Sequence, residues 1–199
     1  MSTDPDLFRL ETDRLVIRPF VRDDLDAIHP ILNAAFGEES RADRQEWLDW
    51  AVINYAALAR LRQPPYGDRA VGLKATDTLI GAVGLVPSFG PFDTLPYFRG
   101  RSTGSPTGLF TPQMGLFWVI GEPYHGHGYA TEAARAVIDF AFTHLRLRRI
   151  VATTEYANSR SIAVMQRLGM DIQRNPEPTP LWFQVIGILD NPAVSQNAI

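Results

Sequence analysis

The stretch Arg14-Leu15-Val16-Ile17-Arg18-Pro19-Phe20 alternates apolar and polar side chains at period two, which predicts a strand with Leu15 and Ile17 turned inward. From Asp23 to Leu32 the period lengthens: Leu25, Ile28 and Leu32 fall on one helical face, and Pro30 is expected to bend or end that helix. A second helix is predicted from about Arg41 to Leu61, with Trp47, Ala51, Leu58 and Leu61 as its apolar stripe and Pro64-Pro65 as its stop. Arg69 to Ala75 and Thr78 to Val86 then read as a hairpin about Thr76-Asp77. Between Pro87 and Pro112 the pattern dissolves into Pro, Gly, Ser and Thr punctuated by Phe89, Phe92, Tyr97 and Phe98. A connection that long is expected to be a functional loop, its aromatic residues candidates for a pocket lining.

Order returns at Gln113 to Ile120, apolar on both faces and so predicted to be a central strand. A Gly-rich turn leads into a helix from Thr131 to about Leu145, followed by a strand from Ile150 to Glu155. Asn158 can cap a short helix carrying Ile162, Met165 and Leu168 before Gly169 closes it, and Trp182 to Leu189 forms a last strand. The alternation of strands and helices predicts an α/β (α+β) chain, taken as one domain over residues 1–199 with a core of about 10–190.

Composition narrows the function classes. The 199 residues carry a formal charge of -3 with scattered basic residues, which argues against nucleic acid as a partner. With no cysteine, disulfides, thiolate nucleophiles and thiolate metal sites are excluded. The polar, acidic start lacks the features of a secretory signal, and no apolar run approaches the roughly 20 residues of a membrane helix. No membrane association and a cytoplasmic location are the default expectations.

The chemistry concentrates at His125-Gly126-His127-Gly128-Tyr129-Ala130-Thr131-Glu132-Ala133, between the central strand and a long helix. Glycines allow a sharp turn and close backbone approach, and the first helical turn offers unpaired N–H groups and the positive dipole end, so a phosphate or pyrophosphate fits there. The run lacks the Lys-Ser/Thr of a P-loop and the third glycine of a dinucleotide fingerprint. A nucleotide-binding α/β protein is therefore the lowest-ranked reading.

Tyr124 to Ala133 resembles the acetyl-CoA loop of the GNAT superfamily of N-acetyltransferases, in which Gln or Arg is followed after two residues by Gly, one residue, then Gly or Ala. Gly128 and Ala130 match the last two fixed places, and His125 stands where Gln or Arg is usual. The similarity runs from Arg14 to about Leu189. The Gly-Tyr-Ala-Thr-Glu-Ala run at 128–133, Asn158-Ser159-Arg160-Ser161 and the later Leu168-Gly169-Met170 resemble most the branch containing ribosomal-protein N-terminal alanine acetyltransferases.

The resemblance implies a mixed central sheet with two splayed parallel strands flanked by helices, and acetyl-CoA as co-substrate. It places the donor against the backbone of Trp118, Val119 and Ile120 and the loop His125, Gly126, His127, Gly128, Tyr129, Ala130 and Thr131, with Asn158 and Ser161 near the pantetheine arm and sulfur. The partner strand maps onto Val151 to Glu155. A backbone N–H of Val119 or Ile120 would polarise the thioester. Ser161 is the expected proton donor or sulfur partner, and attack is direct, so no nucleophilic residue is needed. Relatives often carry a carboxylate on the central strand; here Gln113 and Gly115 occupy those places, and Glu155, acting through water, is the substitute base. Asn158 also suits a helix cap, Glu132 suits support of the helix end, and His125 with His127 lack a third ligand for a metal. The expected acceptor is an amine-bearing peptide or small molecule, the state monomer or homodimer. A CoA-binding regulatory module without catalysis is the alternative.

Overall fold

The computed structural model describes residues 9–100 and 105–195; the polar lead and residues 101–104 of the Pro/Gly-rich stretch lie outside them. In chain order the elements are β1 (Leu10–Glu11), β2 (Leu15–Arg18), α1 (Leu25–Phe36), α2 (Arg41–Arg60), β3 (Gly67–Leu73), β4 (Leu79–Gly90), α3 (Pro96–Arg99), β5 (Thr111–Ile120), α4 (Tyr129–Thr143), β6 (Arg149–Thr154), α5 (Ser159–Arg167), β7 (Asp171–Arg174), β8 (Val185–Asp190) and α6 (Pro192–Ser195). The strands form one mixed sheet in the order β1-β2-β3-β4-β5-β6-β8-β7. Its parallel step joins β5 to β6, with Gly115 opposite Val151. The chain divides into two compact units, residues 1–86 with 117–140 and residues 87–116 with 141–199.

In the first unit β2 pairs antiparallel with β3, and β3 with β4. Leu25, Ile28 and Leu32 of α1 and Leu48 and Ala51 of α2 bury against Ala70, Ala82 and Val119 of the sheet. Burial of that stripe carries α1 past Pro30 to Phe36: Pro30 is exposed, so the carbonyl it leaves without a helical donor can turn to water. Ser40 caps α2 by accepting the Asp43 amide at 3.1 Å. The buried side of α2 is Leu48, Ala51, Tyr55 and Leu58; Leu61, expected on that stripe, lies beyond the last turn and is exposed. Trp47 packs edge-on to Phe20 at 5.4 Å, whereas Trp50 faces outward.

The second unit pairs β6 and β7 with β8, both antiparallel. The segment expected to be a loop contributes to its core. β4 runs on to Gly90, and Phe92 and Leu95 are fully buried with Val151, Phe183, Ile186 and Ile188, while Tyr97 and Phe98 pack against the same cluster. The physical reason is that aromatic side chains at this density bury enough apolar area to anchor an otherwise irregular backbone. Phe89 stays exposed. Asp93 folds the following turn back by accepting the Thr107 amide at 2.7 Å and its hydroxyl at 2.6 Å. Residues 181–183 form a 3-10 turn rather than the start of the last strand, with Phe183 buried and Trp182 partly exposed. Among the described residues no helix is long and apolar enough to cross a membrane.

Candidate functional site

The strand β5 ends at Ile120, and the Gly121 amide donates to Ile80 O at 2.8 Å. A 3-10 turn at Glu122–Tyr124 then turns the chain into the loop preceding α4. Gly126 and Gly128 adopt φ of 80° and 81°, the left-handed region that side chains with a Cβ disfavour. A Cβ at Gly126 would have no neighbour within 4 Å, so the loop is open on that side. The amides of Tyr129, Ala130 and Thr131 form the first turn of α4 and have no intrahelical acceptor. Two left-handed glycines leading into such a helix end make an anion cradle of backbone donors, which fits a pyrophosphate.

A polar clamp holds this cradle from β2 and its lead. Glu132 accepts from Thr12 Oγ1 at 2.5 Å, the Arg14 amide at 3.1 Å and Arg14 Nε at 2.7 Å. Burial pushes the Glu132 carboxyl upward, but the hydrogen bonds from Thr12 and Arg14 outweigh it and hold the group below the usual carboxylate value. The same Arg14 guanidinium donates to His127 O at 3.1 Å and lies 4.6 Å over the Tyr129 ring, which stacks on His127. Glu132 therefore supports the helix end and, through Arg14, the loop. Thr12 and Arg14 were not singled out by sequence; they stand over 110 residues from Glu132, and no local pattern links them.

Both loop histidines are tied to backbone. His125 Nε2 donates to Ile120 O at 2.6 Å and His127 Nδ1 to His125 O at 2.8 Å. A carbonyl only accepts, so each of these nitrogens carries its proton and neither is a base in this state. Strand alternation sorts the β5 backbone. Gly121, and with it Val119, turns its hydrogen-bonding groups toward β4, whereas Trp118 and Ile120 turn theirs to the other edge.

In the second unit, Asn158 Oδ1 accepts the Ser161 amide at 3.0 Å as the cap of α5. Ser161 is half-buried and Glu155 is exposed just past β6. Gln113 lines an open groove of about 810 Å³ with Pro87, Phe98, Met114, Leu147 and Arg149, while Gly115 is buried. Among the described residues no group of three His, Cys, Asp or Glu is placed to hold a metal ion.

One further acid, Asp68 on β3, has a buried Oδ1 without a hydrogen-bond partner, and burial raises its pKa from 3.8 to about 6. A raised folded-state pKa means that its contribution is most favourable below the unfolded value and is lost as pH rises through about 6. Asp68→Asn is therefore expected to raise the thermal midpoint at neutral pH, with the gain shrinking as the pH falls toward 4; a pH-independent change would contradict the burial cost.

A mixed sheet whose central strand leads into a glycine-rich turn at a helix start presents backbone donors suited to a phosphate-bearing ligand. The acetyltransferase (GNAT) domain model matches residues 14–171, and the chain belongs to that family. It is 42% identical over 53 residues to the Bacillus subtilis (strain 168) N-acetyltransferase YnaD, itself uncharacterized, covering 27% of this chain and 31% of that one. It is 25% identical over 139 residues to YkkB of the same organism, covering 67% of this chain and 64% of that one. These matches thus span less than two thirds of the relatives' lengths. The fold matches an acetyltransferase from Agrobacterium tumefaciens str. C58 with a TM-score of 0.66 at 22% identity, covering 91% of this chain and 93% of that one. It also matches the ribosomal-protein-S5-alanine acetyltransferase of Vibrio fischeri with a TM-score of 0.66 at 17% identity, covering 92% and 97%.

Proposed function

We propose that the chain transfers an acetyl group from acetyl-CoA to a primary amine by direct attack, with a peptide N-terminus or a small-molecule amine as acceptor. The observation that carries this reading is the left-handed Gly126 and Gly128 pair opening onto the first turn of α4 in a chain of the GNAT family. Acetyl-CoA supplies an activated thioester. The amides of the cradle from Gly126 to Thr131 bind its pyrophosphate, with Arg14 holding the loop in shape. The Ile120 amide, on the β5 edge turned away from β4, hydrogen-bonds the carbonyl oxygen as it gains charge. The amine nitrogen forms the new C–N bond, the C–S bond breaks, and Ser161 protonates or hydrogen-bonds the departing sulfur. Asn158 fixes Ser161 by accepting its amide, which leaves the Ser161 hydroxyl for the sulfur. Glu155 relays the amine proton through water; its exposure suits a water relay rather than direct contact.

The test is incubation with acetyl-CoA and a panel of peptide α-amines, polyamines and aminoglycosides, with acetylated product followed by mass spectrometry. Product with at least one amine class is expected. CoA binding without turnover on any of them would favour a regulatory CoA-binding module, a reading supported by the absence of a carboxylate on β5. Ser161→Ala is expected to lower kcat by about 100-fold with little change in CoA affinity, the lower end of the usual range for a single proton donor. Unchanged turnover at saturating CoA would remove Ser161 from the chemistry.

A further inference from the structure

The helix α2 is apolar on two sides. One side is the buried stripe already described; on the other, Trp50 is 50% exposed and Ile53 54% exposed, and Leu61 beyond the last turn is 68% exposed. The positions Glu46, Trp50, Ile53, Ala57 and Arg60 are spaced by four, three, four and three residues, the spacing of a continuous seam along one helix face. A surface helix typically carries charged and polar residues on that side. Glu46 and Arg60, both exposed, close the seam with opposite charges at its two ends.

We infer that this face of α2 docks on α2 of a second copy of the same chain, the two helices running antiparallel about a two-fold axis. The arrangement of charge selects that occupant. In an isologous contact each patch meets itself, so a seam that is acidic at its start and basic at its end is self-complementary only when the helices are antiparallel. The Glu46 end of each helix then meets the Arg60 end of the other, Ile53 meets its own copy at the axis, and Ala57 lies beside Trp50 of the other copy. The small Ala57 side chain leaves room for Trp50 of the other copy to cross, the alternation of large and small that lets helices approach closely. Arg22 and Asp49, paired with each other at 2.8 Å, flank the seam and add no net charge to it. The contact is one helix of 20 residues on each side, about 30 Å long, which places it with the small interfaces typical of weak, reversible association.

The test is sedimentation velocity of the full chain from low to high micromolar concentration. Reversible doubling of mass is expected, and Trp50→Glu should keep the protein monomeric throughout while leaving its circular dichroism and CoA binding unchanged. Glu46→Arg and Arg60→Glu should each weaken association about tenfold, because each places like charges together twice per dimer, and the double variant should restore it. A monomer at every concentration would overturn the inference. So would a dimer indifferent to Trp50→Glu, or a double charge exchange that restores nothing.

Discussion

Gly128→Val is expected to raise the dissociation constant for CoA by about 100-fold while leaving the melting temperature within a few degrees of the parent chain. Gly128 sits at φ 81°, where a β-branched side chain collides with its own backbone, at a cost of about 1–3 kcal/mol that the loop relieves by turning its amides out of register. The nearest neighbour of a Cβ there is Arg14 Nη2 at 3.7 Å, an ordinary contact, so the loss comes from backbone conformation rather than from crowding. Because the loop is exposed, the folded core does not share the cost. Calorimetric titration of CoA into both proteins gives the ratio. An unchanged affinity would mean that the donor's phosphates lie elsewhere.

Gly81→Ala acts on stability instead. A Cβ at Gly81 on β4 would overlap the Val119 carbonyl oxygen of β5 and lie 3.0 Å from the Ile120 Cα, both backbone atoms that cannot rotate away. Relief requires β5 to shift, and overpacking of this kind costs about 1–3 kcal/mol, which for a chain of this size lowers the melting temperature by about 2–12 °C. The strand that shifts carries the Ile120 amide, so kcat should fall along with stability. Gly72→Ala on β3 is the control, since its Cβ meets nothing closer than 3.8 Å. Equal thermal shifts for the two variants would contradict the close approach of β4 and β5.

Local periodicity made most elements legible. The strand at Leu15–Arg18 carries a period of two and both long helices and the helix after the glycine loop a period of 3.6, while the hairpin and the central strand were read as apolar runs bounded by turn residues. β1 and β7 escaped because two residues, and the polar run Asp-Ile-Gln-Arg, are too short and too hydrophilic to show a period. The stretch after Val86 misled because turn-forming residues there surround Phe92 and Leu95, and whether an isolated aromatic is an anchor or a pocket wall depends on what the rest of the chain brings against it. The turn into α4 was legible for a different reason: left-handed backbone at 126 and 128 calls for glycine, and a helix start follows it directly. The clamp on that loop was not, since Thr12, Arg14 and Glu132 meet only through the fold. The base stayed equally hidden, because an exposed glutamate at a strand end has the same letters whether it moves a proton or is merely hydrated.

The most direct measurement is a pair of calorimetric titrations of the parent chain, one with CoA and one with pantetheine, which lacks the pyrophosphate and the 3′-phosphoadenosine attached to it. If the Gly126 to Thr131 cradle is the handle for the donor, CoA binds at least about 100-fold more tightly than pantetheine, since several charge-assisted hydrogen bonds to the phosphates are lost in the smaller ligand. Equal affinities, or no binding of CoA at all, would contradict it.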